Sequence, residues 1–85
     1  MASPAWKTAE DVAEGYVVLN QVTLKRFQPQ ELDQLQRELE KVVRETRTTI
    51  VPENDAEKAQ TKNRRLLRLS QATTVLNSYR SRMGR

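Results

Sequence analysis

Leu32, Leu35, Leu39, Val42 and Thr46 follow one another at steps of three, four, three and four residues, with Val43 and Ile50 beside them. That spacing is the coiled-coil period, and it lines one stripe of an α-helix. Asp33, Arg37, Glu40, Lys41, Arg44 and Glu45 fill the opposite side, with Asp33→Arg37 and Glu40→Arg44 at the supportive i,i+4 spacing. The start is also encoded. Pro29 suits a first helical turn, where its missing N–H costs nothing, and it disfavours helical geometry at Gln28. The pattern predicts an amphipathic helix over about 29–48.

The stretch TTIVPENDAEK comes next, in which β-branched residues lead to Pro52 and Asn54 or Asp55 is placed to cap a following helix. A link of about six residues implies antiparallel neighbours. On a 100° wheel for residues 55–82, Leu66, Leu69, Thr73, Leu76 and Met83 share one side, flanked by Ala72 and Tyr79, whereas Arg64, Arg68, Val75 and Arg82 share another. Arg65 and Arg80 lie nearer the apolar stripe, with stems long enough to cross it. This helix would run about 42 Å against about 30 Å for its neighbour, so its last turns must project or be covered by N-terminal chain.

The N-terminal quarter carries two conflicting patterns. Trp6, Ala9, Val12, Ala13, Tyr16 and Leu19 fit a helical face with Glu10, Asp11 and Glu14 outside, and Thr8 with Asp11 forms a capping signal. Against this, Gly15 weakens a helix and YVVL favours extended chain, whose only strand partner in reach is VTLKRF. The helical pattern is the stronger, and the expectation is a helix over about 8–26. The whole is read as one all-α domain spanning 1–85, an antiparallel helical hairpin or a small up-down-up three-helix bundle. A chain this short hides only roughly 60–65% of its unfolded surface, so a partner or self-association would add to its stability.

Charge is distributed unevenly. Residues 1–61 hold eight Lys/Arg and eleven Asp/Glu, whereas residues 62–85 hold Lys62, six arginines including Arg85, and no acid. A mildly acidic body with a basic end points either to an anionic partner or to an internal complement. The arginine line could follow a phosphate backbone or an anionic membrane. Tyr79 is the only aromatic in that quarter and falls toward the apolar stripe, so the stacking expected of a single-strand binder is thin.

Cys and His are both absent, which removes disulfides, thiolate nucleophiles, the usual zinc sites and imidazole chemistry. Glu31, Glu38, Glu40 and Glu45 read as solvated ion-pair partners and not as a catalytic pair. With Gly15 and Gly84 as the only glycines, no phosphate-cradling loop can be built. No catalytic residue, metal site, cofactor or small-molecule substrate is expected. The N-terminus lacks a basic segment followed by an apolar one, and no run nears the roughly 18 apolar residues of a spanning helix. A soluble intracellular chain, not a secreted one, is expected.

Three apolar residues lack an internal home in this scheme: Leu67 lies about 100° from Leu66, Val75 falls on the arginine side, and Val18 behaves similarly. They suggest a second apolar seam for another helix. Trp6 either staples the first helix or anchors a partner. The sequence therefore points to a non-catalytic helical protein–protein interaction module, a small subunit or adaptor that meets a protein partner or a second copy of itself. The contact set is Trp6, Arg64, Leu67, Arg68, Val75, Tyr79, Arg80 and Arg82. The alternative is a nucleic-acid-binding protein using the basic C-terminal helix; a membrane surface fits less well.

Overall fold

A computed structural model describes residues 4–83, so Gly84 and Arg85, together with the side chain of Met83, lie outside the described residues. The described chain is all-α: α1 (Ala5–Glu14), α2 (Gln21–Leu24), α3 (Pro29–Thr48) and α4 (Ala56–Met83).

Helix α3 has the predicted limits, and the reason is local. Gln28 is extended (φ −72°, ψ 157°), and its backbone N–H donates to Glu31 Oε1 at 2.7 Å, which satisfies a donor at the helix entrance. The predicted stripe, Leu32, Leu35, Leu39, Val42 and Thr46, is buried, and the Thr46 hydroxyl donates to the Val42 carbonyl at 2.7 Å, so its burial leaves no polar group unpaired. Of the two expected i,i+4 pairs, Asp33–Arg37 forms at 3.0 Å; among the described residues Glu40 and Arg44 have no opposite charge within 4.0 Å.

Asp55 opens α4. Its Oδ1 accepts from the Lys58 N–H at 2.9 Å, satisfying one of the four donors a helix start leaves free. Asp55→Ala is expected to destabilise the chain by about 1 kcal/mol, read as a lower urea midpoint with an unchanged slope. A midpoint equal to that of the parent would mean that Asp55 caps nothing.

Side chains tie α3 and α4 together at both ends and fix them as antiparallel. Lys62 Nζ donates to the carbonyls of Arg47 (3.2 Å) and Thr49 (3.0 Å), where the C-terminus of α3 leaves acceptors unpaired and favours a cation. At the other end, Arg80 donates to the Gln36 side-chain carbonyl and lies 3.5 Å from Asp33 Oδ1. Between the ties, Leu32, Leu35 and Leu39 share one core with Leu69, Ala72 and Leu76.

The expected single helix over 8–26 does not form. Helix α1 begins sooner, at Ala5, with the Lys7 and Thr8 N–H groups donating to the Pro4 carbonyl, so Thr8 is a buried helical residue and not a cap. It stops at Gly15, whose φ of 87° is left-handed. Tyr16 N–H donates to Asp11 O (2.8 Å) and Gly15 N–H to Val12 O (3.1 Å), the paired closure of a Schellman end. Residues 17–20 then take no regular structure, and no strand forms among the described residues. Val17 and Leu19 turn toward the core while Tyr16 and Val18 stay in water, the alternation of an extended chain. Asn20 caps the short α2 through the Thr23 N–H at 2.9 Å, and Leu24 and Phe27 complete the core.

This N-terminal segment covers the far turns of α4. Gly15 stands beside Arg68, and the Gln21 amide, oriented by its network, accepts from both terminal nitrogens of Arg82 at 2.8 Å. The chain from 15 to 21 therefore runs along α4 toward its C-terminus. Those turns also lie beside α3, whose Asp33 and Gln36 meet Arg80; the length by which α4 exceeds α3 falls at its first turns, before Lys62, and not at its last turns as expected from the sequence.

Candidate functional site

The residues singled out in the sequence fall into three environments. Arg68, Arg80 and Arg82 are engaged inside the chain. Arg68 is half-buried and its Nη1 donates to the Ala13 carbonyl at 3.0 Å. Arg80 holds Gln36 and Asp33, and Arg82 holds Gln21. Arg65 pairs with Glu14, so Arg65 and Arg68 together grip the last turn of α1, the helix end that favours positive charge. The outward guanidinium ridge expected from the wheel is thus largely the bed of the N-terminal segment. Arg64 and Arg82 are the exposed members of this set; Arg82 has the Gln21 amide, whereas Arg64 has neither a hydrogen-bond acceptor nor a carboxylate in reach among the described residues.

Val75 and Tyr79 are half-buried against the core. Val75 therefore has the internal home that the wheel denied it, because the segment after Gly15 lies on its side of α4. Leu67 and Trp6 differ: Leu67 is 59% exposed and Trp6 55%.

Other exposed apolar residues lie outside the predicted set. Tyr16 (79%) and Val18 (76%) stand out from the segment between α1 and α2, Val22 (68%) from α2 itself, and Ile50 (91%) from the link after α3. The sequence signal for Val18 is its lack of a partner on the wheel; Tyr16 fits a helical face that Gly15 terminates.

Two grooves adjoin Val18 and Leu67. One lies between the segment after Gly15 and α4, with Val12, Val17, Val18, Leu19, Ala72 and Val75 as its apolar walls and a volume of about 580 Å³. The second, about 660 Å³, runs between α3 and α4; α3 contributes Glu40, Val43, Arg44 and Arg47, and α4 contributes Asn63, Leu66, Leu67, Ser70, Thr73 and Thr74. Val43 and Leu66 form a half-buried floor with Leu67 at the margin. Arg44 and Arg47 line this groove with no carboxylate within 4.0 Å among the described residues, and Glu40 is the one acid beside them in its lining. Arg44, Arg47 and Val43 escape the predicted contact set because each reads as an ordinary position of a solvated or flanking helix face.

No family model matches this chain, and neither the curated proteins nor the solved structures contain a match. Among the described residues no helix is long and apolar enough to cross a membrane.

Proposed function

We propose that this chain is a non-catalytic helical interaction module, a small subunit or adaptor within a soluble intracellular assembly, which works by packing its outer apolar side chains against another protein. The observation that carries this reading is the group of large apolar side chains left in water beside the two grooves, Tyr16, Val18 and Val22 near α2 and Leu67 at the α3/α4 groove; Trp6 on α1 and Ile50 after α3 are exposed apart from them. Singly exposed apolar residues are ordinary, but a cluster next to a groove is the usual form of a docking face. Several arginines expected to seek an external anion are already satisfied internally, which favours apolar contact over phosphate binding as the main source of affinity.

Affinity capture with the full chain from extracts of its source cells, repeated with Leu67→Asp and Val18→Asp and after nuclease treatment, tests this. The expected result is a protein partner that survives nuclease and high salt and is lost with one of the aspartate variants. Material removed by nuclease, or binding whose log K falls by roughly 0.9 per phosphate neutralised as log salt rises, would instead mark a nucleic-acid binder.

A further inference from the structure

The α3/α4 hairpin offers a groove on each side, and the chain itself shows how one of them is filled. Helix α1 lies against both α3 and α4 with Ala9, Val12 and Ala13 in the core. It is an acidic helix, with Glu10, Asp11 and Glu14 against the single Lys7. Its Glu14 carboxylate rests on Arg65 and its Ala13 carbonyl on Arg68. An amphipathic helix with acidic flanks, seated over an apolar floor and gripped by arginines, is thus one docking mode this hairpin already uses.

The second groove has the same ingredients and no helix in it; no α1 residue contributes to its walls. Its floor is Val43 and Leu66, Leu67 stands at its margin, and Ser70 on α4 is small enough for a close helical approach. Among the described residues Arg44 and Arg47 line it without a carboxylate within 4.0 Å, where Arg65 and Arg68 grip α1 on the other side.

We propose that the groove between α3 and α4 receives an acidic amphipathic helix from a partner protein, packed opposite α1. Apolar side chains at i, i+3, i+4 and i+7 of that helix cover Val43, Leu66 and Leu67, and its flanking carboxylates meet Arg44 and Arg47. Charge argues for a foreign helix over a second copy of this chain. Two copies meeting groove to groove in an isologous contact bring two arginines each and only Glu40 in return, which leaves positive charge in excess at the interface. The proposal deepens the interaction-module reading and rests on it.

The test uses the full chain, ¹⁵N-labelled, and two synthetic peptides of about 18 residues, roughly five helical turns, with the same leucine spacing. One carries Glu and the other Lys at the flanking positions. The expected result is that the Glu peptide binds at least about ten-fold more tightly and that amide shifts centre on Val43, Leu66, Leu67 and Ser70. The charge-reversed double variant Arg44→Glu/Arg47→Glu inverts the order of the two peptides, and Leu67→Asp weakens both. These three positions are exposed, so a helical circular dichroism spectrum equal to that of the parent shows the fold intact. Equal binding of both peptides, or none by either, overturns the proposal. Shifts centred on Tyr16, Val18 and Val22 also overturn it while leaving the interaction-module reading in place. So does a solution dimer that buries the groove, because the occupant is then a second copy.

Discussion

Leu69→Ala is expected to remove about 2–5 kcal/mol of folding stability, the range for deleting a fully enclosed leucine when its surroundings relax only in part. Leu69 has no exposed surface, sits midway along α4 and belongs to the same core as Leu35 and Leu39 of α3. Globular chains hold roughly 0.05–0.15 kcal/mol per residue, so for 85 residues the loss is comparable with the whole margin. The variant should show a urea transition displaced far toward zero denaturant, or no helical signal at all. Leu67→Ala removes the same atoms two positions away, from a residue 59% exposed, and should shift stability by no more than about 0.5 kcal/mol. The contrast between the two substitutions reads the rotational setting of α4 directly. Equal costs would mean that α4 turns a different stripe to the core and that Leu66 and Leu67 are not at the open groove.

That setting is largely legible in the sequence. Leu32 to Thr46 keep the helical period without interruption, Pro29 marks an entrance, and Asp55 caps the next helix; each signal acts within a turn or two of its own position. The fate of Gly15 and of YVVL is harder to read because it depends on distant partners. An extended stretch gains no backbone ladder here, and what holds it is burial of Val17 and Leu19, after an α1 end fixed by Arg68 some fifty residues away. The arginines of α4 are misread from sequence for the same reason. A wheel drawn for one helix separates core from non-core, but it cannot say that another segment of the chain lies along the non-core side. The length mismatch misleads as well: α4 outruns α3 by about 12 Å at 1.5 Å per residue, but Lys62 reaches the end of α3 and Arg80 the region near its start, so the excess is the first turns of α4 and not the last. Val75, an apolar residue set among arginines, marks where the N-terminal segment lies. On the open side the signal is the adjacent pair Leu66 and Leu67, which no single helical stripe can bury. Arg44 and Arg47 become notable only because Glu40 does not pair with Arg44.

Gly15→Ala carries the second large effect expected of this chain, because residue 15 does two things at once. Its φ of 87° lies in the left-handed region, which an L side chain occupies at a cost of roughly 1–2 kcal/mol. An added Cβ would also stand 3.1 Å from Cζ and 3.2 Å from Nε of Arg68, tight enough that the guanidinium must shift and strain its hydrogen bond to the Ala13 carbonyl. Backbone strain supplies most of the loss, since a guanidinium on a flexible stem can move by tenths of an ångström. A double-mutant cycle separates the parts. Arg68→Ala alone leaves the Ala13 carbonyl without its guanidinium, with Arg65 still on Glu14, and should cost about 1 kcal/mol, and in that background Gly15→Ala should cost less than it does in the parent, by about 0.5 kcal/mol. Native-state hydrogen exchange gives the local reading: the Tyr16 amide, which donates to Asp11 O, should lose protection in both single variants before the amides of α3 do. If Gly15→Ala proved neutral and the Tyr16 amide kept its protection, residue 15 would have to be helical. The chain would then run on as a single helix through YVVL, Arg68 would lose the α1 terminus it grips, and the arginine side of α4 would again face solvent.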